Sequence, residues 1–253
     1  GRQWRPALGL LQRMAQVAVE ADAISCGVGV AACDTGLAWE LALEALQLSQ
    51  RRGLQLGVIG CNAVVSACAD AHSWEQAAEQ LLTARRRGLT QDAVSFNAAT
   101  SACEKGHCWQ KALQLPAEAR QVRLQVDVLG SSAAISACEN AEQWAHALLA
   151  LEGLEASRLE ASLVTFNAAI SACQKGQKRG EALRILRAMQ DAGVRADAVS
   201  YSAAVLSCSA AGRWRHAQLL TAEMRAHGLE TGTDTYSLLV MDCEDRDGTA
   251  AWR

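Results

Sequence analysis

Apolar and polar positions along this chain alternate with the period of a helix, and the helical segments themselves recur at a longer interval. Between 163 and 197, Phe166, Ala169, Ile170 and Cys173 fall at i, i+3, i+4 and i+7, the spacing of one buried stripe. The opposite stripe holds Val164, Asn167, Ser171 and Gln174, mostly polar and also at helical spacing. This pattern predicts a first helix over Val164 to Lys175, a break at Gly176, and a second helix over Arg179 to Asp191 closed by Gly193. Each such segment is a helical hairpin.

The longer interval is 35 residues: Cys33, Cys68, Cys103, Cys138, Cys173, Cys208 and Cys243 keep it without a break. Trp4, Trp39, Trp74, Trp109, Trp144 and Trp214 keep it too, with Arg179 at the one gap. A fixed period of this length marks one supersecondary unit stacked on itself, so contacts run between neighbouring units and the architecture is a solenoid. Complete units are set at 23–57, 58–92, 93–127, 128–162, 163–197 and 198–232, with 1–22 a leading second helix and 233–253 a truncated trailing unit. The polar stripe returns as Val94, Asn97, Ser101 and Glu104. Small residues such as Asn97-Ala98-Ala99 let first helices approach closely and line the inner curve. On the second helices, Trp109, Ala112, Leu113 and Ala119, or Trp214, Ala217 and Met224, read as the inward side, with the tryptophans in the core rather than offered as stacking platforms.

Composition sharpens this picture. Half of the residues are hydrophobic but only 4% are aromatic, and there are two prolines, which suits helices packed through Ala and Leu. Ten cysteines invite disulfides, yet helices stacked roughly 8–10 Å apart hold equivalent Cα atoms beyond the ~7 Å bridging limit. Free thiols and a reducing compartment follow. The net charge of −3 counts against a nucleic-acid binder of the strongly basic kind. Arg51-Arg52, Arg85-Arg86-Arg87, Arg120 and Arg225 each fall in the last turn of a second helix, where cations complement the helix dipole. No apolar stretch reaches the ~20 residues that span a bilayer. The chain opens on Gly1 without an initiator Met, so a targeting segment is not readable from it. Five scattered histidines, among them His107 beside Cys108, form no metal-ligand spacing, no Ser–His–Asp set can be placed, and no phosphate-cradling loop occurs. No catalytic residue, metal or cofactor is assigned.

The 35-residue period, the paired helices, and the runs Phe166-Asn167-Ala168-Ala169-Ile170-Ser171-Ala172-Cys173-Gln174-Lys175-Gly176 and Asp197-Ala198-Val199-Ser200-Tyr201 resemble the pentatricopeptide repeat (PPR) family over nearly the whole chain. Tetratricopeptide repeats keep a period of 34 and a different signature. The resemblance implies an all-α, right-handed α-solenoid of stacked helix-turn-helix hairpins that binds single-stranded RNA at about one base per repeat. It also implies a monomer acting in organellar RNA processing, stability or translation, in the mitochondrion or chloroplast, off the membrane, with protein partners or a recruited nuclease supplying any chemistry.

In this family the fifth and final residues of a repeat form the specificity pair. Here these are Asn62 with Asp92, Asn97 with Asp127, Ser132 with Ser162, Asn167 with Asp197, and Ser202 with Gly232. The three Asn–Asp pairs imply uracil preference at 58–92, 93–127 and 163–197. The second-position residues Ile59, Val94, Val164 and Val199 match the family's base clamps, and Lys105 and Lys175 match its phosphate contacts. Departures are equally informative. Gly27 and Gly57 leave repeat 23–57 degenerate and reading nothing, the two serine-containing pairs fit no assignment, and Asp70, Asn140 and Ala210 replace the lysine elsewhere. Pro116 is expected to interrupt one second helix and Gly153 to weaken another. The competing reading is a helical-repeat scaffold for protein–protein interaction. Helix capping alone accounts for the aspartates, but not for Asn97 and Asn167 a turn further in, where Asn is a mediocre helix former.

Overall fold

The structure, a computed structural model, describes residues 39–51, 57–89, 91–122, 124, 127–157, 159–230 and 232. Among them are eleven α-helices and no strand. The expectations for 1–22, for the first half of 23–57 and for 233–253 lie outside the described residues. Two compact units divide the chain, 1–137 and 138–253.

In the first unit α1 (Trp39–Arg51) precedes the hairpins α2 (Gly57–Asp70) with α3 (Trp74–Arg86) and α4 (Ala93–Lys105) with α5 (Trp109–Gln121). Helix α6 (Val128–Asn140) runs across the boundary. The second unit holds α7 (Trp144–Ala156), then the hairpins α8 (Leu163–Lys175) with α9 (Arg179–Asp191) and α10 (Ala198–Ala210) with α11 (Trp214–Ala226). Within each unit the first helix of one hairpin packs on the first helix of the next, α2 on α4 and α8 on α10. The second helix closes against the next first helix, α3 on α4 and α9 on α10.

One turn builds every hairpin. The residue two past the end of each first helix takes a left-handed conformation: His72, His107, Glu142, Gln177 and Gly212, with φ between 56° and 66°. The next amide then donates back to the periodic cysteine's carbonyl, as in Cys108 N to Cys103 O at 2.8 Å and Lys178 N to Cys173 O at 2.8 Å. His107 N to Glu104 O (3.2 Å) and Gln177 N to Gln174 O (3.0 Å) supply the second bond, completing a Schellman closure. Second helices end the same way, but there glycine takes the left-handed site at Gly88, Gly193 and Gly228. A side chain in that conformation costs about 1 kcal/mol, which four of the five hairpin turns bear.

Gly176, expected as the break, is therefore not where the backbone needs glycine: its φ is −78°. It is needed for space. A Cβ there would lie 2.5 Å from Cδ1 of Trp144, and one on Gly106 would lie 2.2 Å from Cδ1 of Trp74. The tryptophans of one hairpin thus seat on the glycine turn of the next. They are half-buried, and Trp39, Trp74 and Trp109 pack against the core of the first unit, so they flank the core as packing residues rather than lying inside it. Lys178 Nζ stands 4.7 Å over the Trp144 ring and the Arg215 guanidinium 5.3 Å over Trp214, contacts that favour rings left open on one face.

The true core is the stripe foreseen on the first helices. Phe96, Ala99 and Cys103 are buried in the first unit; Phe166, Ala169, Ile170 and Cys173, then Tyr201, Ala204, Val205 and Cys208, are buried in the second. The second helices add Leu115 and Ala119, or Ile185, Leu186 and Met189. Helix α5 runs through Pro116 as one helix, with the proline buried. The expected interruption is absent, although proline still withholds one helical amide. The seven described cysteines are free thiols. Burial pushes Cys68, Cys138 and Cys173 up to about 11 and Cys103 up to about 12, so these sulfurs behave as small hydrophobes.

Gly106→Ala is expected to destabilise the protein by about 1–3 kcal/mol, the range for overpacking. Most of that loss should vanish in a Trp74→Ala background, a coupling that chemical denaturation of the four variants would measure.

Candidate nucleic-acid interface

First helices begin at caps, and the caps build the site. Asp92 caps α4 by accepting from Ser95 N at 2.9 Å, and Asp197 caps α10 by accepting from Ser200 N at 2.9 Å. Each of these carboxylates also faces the asparagine of the preceding hairpin. Asn62 Nδ2 donates to Asp92 at 3.0 and 3.2 Å, and Asn167 Nδ2 donates to Asp197 at 3.1 and 3.3 Å. The Ser95 hydroxyl meets both Asp92 Oδ1, at 2.8 Å, and Asn62 Oδ1; the Ser200 hydroxyl repeats this with Asp197 Oδ1, at 3.0 Å, and Asn167 Oδ1. Amide, carboxylate and hydroxyl thus form one ring, in which the single hydroxyl proton goes either to the amide oxygen or to the carboxylate.

The remaining predicted pairs differ. Asn97 Nδ2 donates to Asp127 Oδ2 at 2.7 Å, while Asp127 Oδ1 accepts from Gly130 N at 3.1 Å. Ser132 donates its hydroxyl proton to Val128 O at 2.7 Å, within its own helix. Ser162 caps α8, accepting from Thr165 N at 3.3 Å, with its hydroxyl 2.9 Å from Thr165 Oγ1. Ser202 is half-buried on α10 and Gly232 is exposed. Ser132 and Ser162 fall in different units.

Burial alone would raise the Asp92 carboxyl, but the Ser95 amide and hydroxyl and the Asn62 amide outweigh it and hold the group below its ordinary 3.8. Asp197 is lowered in the same way, burial opposing and Ser200 and Asn167 prevailing. Both carboxylates are ionised acceptors at neutral pH. Each asparagine must then turn Nδ2 toward its aspartate, because an amide oxygen there would face a negative acceptor. The orientation, normally ambiguous for an amide, is fixed by charge.

The second-position residues stand one turn before the asparagines, on the same helix face. Ile59 is 83% exposed, and Val94, Val164 and Val199 are exposed as well. Leu129 shares this register and is 72% exposed; the sequence reading omitted it, although it stands midway between Val94 and Val164. Large aliphatic side chains left open beside an oriented amide make a surface suited to a flat ring.

The lysines are not free cations. Lys105 Nζ lies 2.6 Å from Asp70 Oδ1, and Lys175 Nζ lies 3.2 Å from Glu139 Oε1, an acid that also accepts from Ser171 Oγ at 2.6 Å. In each pair the acid comes from the preceding first helix. Exposed pairs of this kind contribute about 0–1 kcal/mol, little enough for a phosphate to displace the acid. Among the described residues no group of His, Cys, Asp and Glu could hold a metal ion, and no helix is long and apolar enough to cross a membrane.

A carboxylate lowered by folding contributes stability that is full above its unfolded value, near 3.8, and lost as the pH falls through the folded one. Asp197→Ala should therefore cost about 1 kcal/mol near neutrality, the worth of an N-cap. The gap from the parent protein should narrow as thermal melts are taken below 3.8.

A model of the PPR repeat matches residues 164–194. No curated protein matches the chain in sequence. Among solved structures, the pentatricopeptide repeat protein PPR10 from maize shares 26% identity with a TM-score of 0.74, over 94% of this chain and 34% of that one. PPR10 in complex with an 18-nt psaJ RNA element matches at 24% identity and a TM-score of 0.68, over 95% and 39%. The PPR domain of Arabidopsis thaliana protein-only RNase P 1 in complex with tRNA shares the fold at 10% identity and a TM-score of 0.63, over 71% and 95%. The chain thus spans about a third of the PPR10 structures it matches. With its hairpins built on an unbroken 35-residue period, a PPR repeat matched at 164–194 and its likeness to PPR10 over most of its length, the chain carries a PPR repeat within the all-α helical-repeat fold of PPR10.

Proposed function

We propose that this chain binds single-stranded RNA, reading about one base per repeat, with uracil preferred opposite Asn62–Asp92, Asn97–Asp127 and Asn167–Asp197. The observation that carries this reading is the asparagine amide turned by a capping carboxylate beside an exposed aliphatic side chain. In Asn62 and Asn167 the bonds within the ring occupy one N–H and one lone pair, and an amide has two of each. A donor and an acceptor therefore remain on each amide, the two types of group that the uracil O4 and N3–H would meet. Ile59, Val94, Leu129, Val164 and Val199 supply the apolar surfaces against which base faces would rest. The RNA complexes of PPR10 and protein-only RNase P 1 support the general mode. The role the family resemblance implies is organellar RNA processing, stability or translation, by binding rather than by chemistry of this chain's own.

A second reading, a groove for an extended peptide, is favoured by one observation: Lys105 and Lys175 are each matched by an acid of the preceding hairpin. Salt separates the two. RNA affinity falls with ionic strength by about 0.7 log units per log unit of salt for each phosphate contact on a single strand, whereas peptide binding lacks that slope.

Gel-shift titration is expected to give tighter binding to U-rich than to A-rich single strands. Changing Asn62 and Asn167 together to Ala should remove most of that preference; equal affinity of the parent protein for both strands would exclude base reading. Asp70→Asn, which releases Lys105, should strengthen binding to every sequence alike and steepen the salt slope by about 0.7.

A further inference from the structure

Two of the three asparagines are held at both ends of the amide and one is held at a single end. In the first unit, Asn62 is gripped at Nδ2 by Asp92 and at Oδ1 by the Ser95 hydroxyl; in the second, Asn167 is gripped by Asp197 and Ser200. Ser95 and Ser200 are themselves buried, so their hydroxyls have little conformational choice. The residue in their register after Asn97 is Gly130. It offers a backbone amide to Asp127 and no hydroxyl to Asn97. The Asn97 amide has taken up the space a side chain fills elsewhere: its Oδ1 lies 2.5 Å from where a Cβ on Gly130 would stand.

Two anchors fix the plane of an amide, whereas one leaves it free to pivot about the anchored N–H. Paired hydrogen bonds to a base edge need that plane aligned with the ring, and a side chain already held there loses less freedom on binding. We propose that the third residue of the following repeat is an additional specificity determinant, with Ser95 acting on Asn62 and Ser200 on Asn167, while Gly130 leaves Asn97 a weaker discriminator of uracil from cytosine. The two bases are the discriminating pair because they are alike in size and opposite in hydrogen-bond sense at this edge, N3–H and O4 in one, N3 and N4–H2 in the other. This inference rests on the RNA reading above.

The test is a U-to-C substitution scan of a bound single strand, read as the affinity ratio at each nucleotide for the parent protein, Ser200→Ala and Ser200→Thr. Threonine already occupies this register, fully buried, at Thr165, so Ser200→Thr keeps a hydroxyl at a site that accommodates it. In the parent protein the nucleotides facing Asn62 and Asn167 should show larger U/C ratios than the one facing Asn97, a comparison that needs no variant. Ser200→Ala should lower the ratio at the Asn167 position alone, by about three- to tenfold, the worth of one hydrogen bond, and Ser200→Thr should retain it. Equal ratios at all three positions would overturn the proposal. So would a Ser200→Ala loss of affinity shared by every sequence, which marks a merely structural role. If the parent protein shows no U/C or U/A preference anywhere, base reading itself fails; if it shows preference that Ser200→Ala leaves intact, only the present inference does.

Discussion

The hairpin turn is the constraint on which this chain is built. One left-handed residue brings the following amide onto the carbonyl of the periodic cysteine, and that bond fixes where the first helix stops and the second begins. The same cysteine sends its sulfur into the core between hairpins. Register along the chain and packing across it are therefore set by one residue, through its backbone on one side and its side chain on the other. Drift in the length of any of these hairpins would move both at once, which is why the interval of 35 holds from Cys68 to Cys208.

The candidate interface is tied to the same economy. Asp92 and Asp197 start a helix and orient the preceding hairpin's asparagine with a single carboxylate. In the structure, helix capping and orientation of the asparagine amide are two ends of one hydrogen-bonded ring. Folding the next hairpin is what prepares the amide of the one before it. Each of these asparagine sites thus consists of one hairpin plus the first turn of its successor.

Much of this was legible from spacing. The stripe Phe166, Ala169, Ile170 and Cys173 needs only helical periodicity to be placed inside, and the exposure of Val94 and Val164 on the other face follows from the same count. What spacing could not show was partnership between residues some 30 to 36 positions apart. Nothing in the composition of 163–197 says that Gly176 is small on account of Trp144, or that Lys175 is matched by Glu139. Glycine usually marks a backbone break, as the pattern predicts for Gly176, whereas the left-handed site falls to Gln177. Proline interrupts isolated helices, yet α5 continues through the buried Pro116. The serine hydroxyls on Asn62 and Asn167 were invisible for the same reason, since their partners belong to a different hairpin.

The seating of Trp74 on Gly106 and of Trp144 on Gly176 closes a joint in each unit with an aromatic lid. In a linear array, stability is a sum of intrinsic hairpin terms and nearest-neighbour terms, and these contacts are part of the neighbour terms that make hairpins open and close together. Loss of either lid would then be felt by both hairpins that it joins, 74 with 106 and 144 with 176, because a neighbour term belongs to the pair and not to one member.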